Sequence, residues 1–73
     1  RLKVFPNPTK GDYLNLSLEN QNIGRVEIID MLGRTVIKTF IDSPKGEIYI
    51  NNFTEGTYFV KLQGFSKMFI KTK

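Results

Sequence analysis

Whatever chemistry this sequence performs must come from carboxylates, lysines and hydroxyls, because its 73 residues include no histidine and no cysteine. That removes the commonest general base, the commonest transition-metal ligands and the thiol nucleophile. It also excludes disulfides, and it leaves the compartment open. The serines, Ser17, Ser43 and Ser66, have no base patterned around them. The carboxylates of Asp12, Glu19, Glu27, Asp30, Asp42, Glu47 and Glu55 fall mostly in turns and at outward strand positions. Glycoside hydrolysis needs two such groups facing each other across a cleft, and so short a chain has little room to build one. An enzyme is not expected, nor is a cofactor or a metal. Two Asn-x-Ser/Thr tripeptides, Asn15-Leu16-Ser17 and Asn52-Phe53-Thr54, carry no argument, since such triplets arise often by chance and Asn15 lies mid-strand.

The lysines are more informative. The net charge is +4, yet the basic and acidic residues of positions 1–55 cancel. The excess is Lys61, Lys67, Lys71 and Lys73, all near the end of the sequence. They come without arginine and without a Gly-rich phosphate loop, which is not the basic stripe of a nucleic-acid binder. A lysine-rich terminal strand has two readings: edge protection by charge, or an address meant to be read. Tyr13, Tyr49, Phe59 and Phe69 are expected on faces opposite the apolar stripes. They would serve cross-strand packing, a neighbour's cover, or a docking surface for protein or glycan.

The elements that position these residues are short strands. Leu2-Lys3-Val4-Phe5 is extended and stops at Pro6-Asn7-Pro8. Two missing backbone donors confine that segment to an edge. A turn follows at Thr9–Asp12. Tyr13 to Leu18 alternates, with Leu14, Leu16 and Leu18 on one face. Arg25 to Asp30 places Val26 and Ile28 inward. Asp30-Met31-Leu32-Gly33 suits a type I turn, with Gly33 as the left-handed residue of a bulged hairpin. Arg34 to Ile41 returns. A helix over Val26–Leu32 is the competing assignment, but Gly24 and Gly33 bound it and β-branched residues dominate it. Asp42 to Gly46 reads as a loop, Glu47 to Ile50 as a strand, and Asn51 to Glu55 as a corner. The closing hairpin has Tyr58, Val60 and Leu62 inward and turns at Gln63-Gly64. Tyr58, entering a late strand after a corner, suits a tyrosine corner. About seven short strands at this spacing predict a small all-β sandwich or barrel forming one domain over 1–73. No apolar run approaches a membrane span. The chain begins at Arg1, so it is expected to be a fragment of a longer protein. An unpaired edge at the first or last strand could pair between copies.

Four stretches together resemble one family. They are Val4-Phe5-Pro6-Asn7-Pro8 with Gly11, the run Val26 to Val36 containing Asp30, Gly33 and Arg34, then Gly56-Thr57-Tyr58-Phe59-Val60-Lys61-Leu62, and the closing Lys67-Met68-Phe69-Ile70-Lys71. In order and spacing they are similar to the type A C-terminal sorting domain of cargo proteins of the type IX secretion system of Bacteroidota. The residues Phe53-Thr54-Glu55, where the family commonly has Leu and small residues, depart from its pattern, as does the run-on to Thr72-Lys73. The resemblance implies an immunoglobulin-like antiparallel β-sandwich with no catalysis of its own, at the end of a larger secreted protein. It implies as partners an upstream cargo domain, the outer-membrane translocon and a sortase-like peptidase that commonly removes the domain, and a cargo anchored at the cell surface. Recognition is expected at Lys67, Met68, Phe69, Ile70 and Lys71. Pro6, Asn7, Pro8, Gly11, Asp30, Gly33, Gly56 and Tyr58 are expected to be mainly structural. The alternatives are an adhesive or carbohydrate-binding sandwich module, for which the aromatics would serve, and a fibronectin-like spacer.

Overall fold

The computed structural model describes residues 1–73. It is all-β, with seven strands: β1 (Leu2–Phe5), β2 (Tyr13–Leu18), β3 (Gly24–Asp30), β4 (Thr35–Ile41), β5 (Lys45–Tyr49), β6 (Gly56–Leu62) and β7 (Phe65–Lys71). They form two antiparallel sheets, one ordered β1-β2-β5 and the other β4-β3-β6-β7. The sheets pack face to face as a small immunoglobulin-like sandwich, as the strand spacing and the resemblance both predict. No helix is present, so none is long and apolar enough to cross a membrane.

Period-2 alternation builds the core. Leu14, Leu16 and Leu18 of β2, Val26 and Ile28 of β3, and Tyr58, Val60 and Leu62 of β6 are all buried, together with Leu2, Ile23, Ile48, Ile50 and Phe69. The β3–β4 hairpin has the expected turn. Asp30 accepts from Gly33 N at 3.0 Å and donates to Arg34 O at 2.9 Å. Gly33 takes φ +84°, and the ladder slips by one residue between Ile28 and Ile29. The β6–β7 turn pairs Leu62 with Phe65. It leaves Gln63 (φ 42°) and Gly64 (φ 82°) as a two-residue loop with both residues left-handed, the backbone that matches strand twist. The Gln63 side chain then donates to Asn22 O at 2.8 Å and Ile23 O at 2.9 Å, tying this turn to the start of β3.

Two expectations need correction. The fifth strand starts at Lys45 rather than Glu47. Gly46 is opposite Leu16 in the β2–β5 ladder, and a Cβ there would come within 2.7 Å of Ile41 Cγ2. The missing side chain makes room for Ile41, so this glycine serves a close approach within a strand rather than a loop. Phe69, expected on the outer face, is wholly buried. It pairs with Tyr58 in the β6–β7 register, and the two rings stack with centroids 5.5 Å apart. Tyr13 and Tyr49 do lie outward, as a tilted cross-strand pair at 5.3 Å.

Candidate recognition surface on the closing hairpin

β7 is the outermost strand of the four-stranded sheet. Antiparallel alternation directs the backbone groups of its odd residues to β6 and those of its even residues outward. The outward groups in its second half are taken by the segment that leaves β1. The Asn7 side chain donates to Met68 O at 3.1 Å and accepts from Ile70 N at 2.9 Å. Thr9 N donates to Ile70 O at 2.9 Å, and Thr72 N donates to Thr9 O at 2.8 Å. A parallel bridge links Thr9 to Lys71.

The sequence explains this arrangement. Pro6 and Pro8 have no N–H, so the backbone around them cannot run an ordinary ladder. Asn7, between them, offers a side-chain amide, which presents one donor and one acceptor much as a peptide group does. The last-strand edge is therefore covered over its second half. Thr9 is fully buried at this seam, and its hydroxyl has no partner.

The expected recognition residues divide by phase. Met68 and Ile70 face out, 47% and 36% exposed, and Lys67 is exposed. Phe69 is core, and Lys71 is only 9% exposed, with its ammonium on Thr72 O at 3.2 Å. Lys67 and Lys71 share a phase, as their spacing predicts, but it is the phase that turns Phe69 inward. Across the outer face of the sheet, Ile29 pairs with Phe59 and Phe59 with Met68, giving one apolar row. The neighbouring row is polar: Lys38, Glu27, Lys61 and Ser66.

The other motif residues hold corners. The Tyr58 hydroxyl donates to Thr54 O at 2.7 Å, a tyrosine corner as the sequence predicts. Its ring packs on Phe53 with centroids 4.9 Å apart. Gly56 opens β6 at φ +153°, a region that side-chain-bearing residues avoid. The Asp30 carboxylate accepts from Leu32 N at 2.9 Å and Arg34 N at 3.0 Å, and pairs with Arg34 Nε at 2.9 Å. The Arg34 amide bond, followed by the guanidinium bond and the Leu32 amide, holds this carboxyl below the usual carboxylate range; desolvation works in the opposite direction. Gly11 has a negative φ and open space around it, so nothing in the fold demands glycine there.

Sequence reasoning missed the Asn7–β7 pairing, Thr9 and Gly46. The only signal for the first was an amide side chain flanked by two prolines. No group of three or more acidic, histidine or cysteine side chains gathers to hold a metal.

Apart from Gly11, the motifs that carried the family resemblance thus have a visible place: the strap on β7, the Asp30–Arg34 turn, the Tyr58 corner and the half-exposed last strand. The sequence of residues 3–73 matches the family model described as the secretion system C-terminal sorting domain. No curated protein matches the chain. Members of this family are sorting signals for type IX secretion rather than catalysts, and they direct export across the outer membrane to the cell surface or the extracellular space. The chain belongs to the family of secretion system C-terminal sorting domains.

Proposed function

We propose that the export machinery reads the exposed side of β7, at Lys67, Met68 and Ile70, and that Phe69 and Lys71 hold that strand in place from beneath. One observation carries this reading. β7 is fixed on both sides, by β6 and by the Asn7–Thr9 strap, yet it keeps two apolar side chains and a lysine in solvent. A rigid strand whose outer phase leaves Met68 and Ile70 free suits recognition at a sheet edge, where side chains on one phase give specificity. Lys67 lies on the opposite phase but is exposed, and adds charge beside them. The partner is the outer-membrane translocon.

The 1–73 unit is the C-terminal domain of a larger secreted protein. Its cargo lies upstream of β1. The cargo reaches the periplasm by a signal peptide at its own N-terminus. After translocation a sortase-like peptidase separates domain from cargo, and the cargo remains anchored at the surface.

Photo-crosslinking tests the site. A benzophenone side chain replacing Met68 or Ile70 is expected to give an adduct with an outer-membrane protein during export. The same group replacing Tyr49, on the opposite sheet, is expected to give none. Adducts from Tyr49 alone would overturn the assignment.

A further inference from the structure

The two lateral sides of the sandwich differ. On one, β1 is short and runs into two prolines, while β7 carries lysines and is covered by Asn7 and Thr9. These are devices by which natural sheets blunt an edge. On the other side lies β4, with nothing hydrogen-bonded beyond it. β4 has no proline and no covering segment, and it is exposed at five of its seven residues. Its exposed side chains include Val36 (43%) and Phe40 (64%).

The register identifies which groups of β4 are free. Asp30 N donates to Arg34 O, so alternation turns the even residues of β3 toward β4. Their partners are Ile37 opposite Ile28, Thr39 opposite Val26 and Ile41 opposite Gly24. Lys38 and Phe40 therefore send their N–H and C=O groups into solvent, and exposed Asp42 is next in phase.

We infer that the β4 edge pairs with the β4 edge of a second copy, antiparallel, about a two-fold axis at Phe40. Three two-fold registers centre between Ile37 and Ile41, on Lys38, Thr39 or Phe40. Centring on Lys38 sets two lysines directly opposite, which is repulsive. Centring on Thr39 sets Lys38 against the partner copy's aromatic ring. Centring on Phe40 sets ring against ring and, at both ends, Lys38 against Asp42. The pairing of Lys38 with Glu27 is a loose 3.9 Å, and the Asp42 carboxylate accepts from Asn22 Nδ2 at 3.1 Å and keeps acceptor capacity to spare. Charge and shape are therefore self-complementary, as an isologous contact requires. The four-stranded sheet then continues into its copy. The contact is smaller than the ~800 Å² per partner of standard interfaces, so the dimer is weak and depends on concentration. This inference stands apart from the export reading, because it concerns the purified chain alone.

Sedimentation velocity on residues 1–73, up to about 1 mM, tests it. The mean mass should rise from monomer toward dimer. Lys38→Asp and Asp42→Lys should each weaken the dimer roughly tenfold, through two lost charge pairs and the new like-charge contact. The double variant Lys38→Asp/Asp42→Lys should restore it. Phe40→Lys should give monomer at every concentration. All three positions changed are exposed, and an unchanged melting temperature reports an intact fold. A chain that stays monomeric throughout overturns the inference. So does a dimer that survives Phe40→Lys, or charge variants that the double exchange fails to rescue.

Discussion

Single residues in this domain act mostly by satisfying backbone that the fold would otherwise strand. Asp30 is the clearest case, since its carboxylate caps two amides and pairs with Arg34. Its pKa is lowered on folding, so the folded state binds fewer protons at this site than the unfolded state. The stabilisation is present above the unfolded pKa and is lost as pH falls through the folded value. Asp30→Asn should therefore melt below the parent at neutral pH, and the gap should close as the pH is lowered below the carboxylate range. A gap independent of pH would show that the charge has no part in it. Thr9 makes the opposite case. Its hydroxyl is buried and unpartnered, and such a group costs about 1–3 kcal/mol. Thr9→Val keeps the shape and removes the polar atom, so it should raise stability to urea by up to about that amount.

Strands were legible where alternation was clean and illegible where it was not. β2 and β6 gather their aliphatic residues on one phase, Leu14, Leu16 and Leu18 in the first and Val60 and Leu62 beside Tyr58 in the second, and their buried faces follow although Phe59 lies on the other phase. In β7 Met68, Phe69 and Ile70 are all apolar, so period 2 cannot choose a face. The β6 register decides it by setting Phe69 opposite Tyr58. The strap on β7 was hidden for a different reason: its hydrogen bonds span more than sixty positions in the sequence and come from a side chain. Asn7→Ala should cost about 1–3 kcal/mol for two hydrogen bonds. Hydrogen exchange should show the Ile70 amide losing protection while the β3 amides keep theirs. Gly46 escaped notice because its reason lies on another strand, in Ile41. Gly46→Ala should destabilise by about 1–3 kcal/mol through overpacking, and Ile41→Val should relieve part of the cost, as a double-mutant cycle in urea would measure.

As a whole the molecule is a closed display. A core of thirteen side chains, without disulfide or metal, holds two small sheets. One lateral side is sealed by the Asn7–Thr9 strap, and Lys67 and Lys71 lie on the strand that it covers. The sandwich, the bulged turn and the tyrosine corner could be read from residue spacing, because each follows from local chemistry. Which of the terminal residues reach solvent could not, because that depends on how β7 registers on β6. The same register narrows the proposed address to Lys67, Met68 and Ile70. The most direct measurement fuses residues 1–73 to a periplasm-targeted fluorescent reporter in a Bacteroidota host that has the secretion system, and compares the fraction outside the outer membrane. The intact domain should export the reporter, and Lys67→Ala/Met68→Ala/Ile70→Ala, with an unchanged melting curve, should leave it in the periplasm. Export of the folded triple variant at the level of the intact domain would contradict the account.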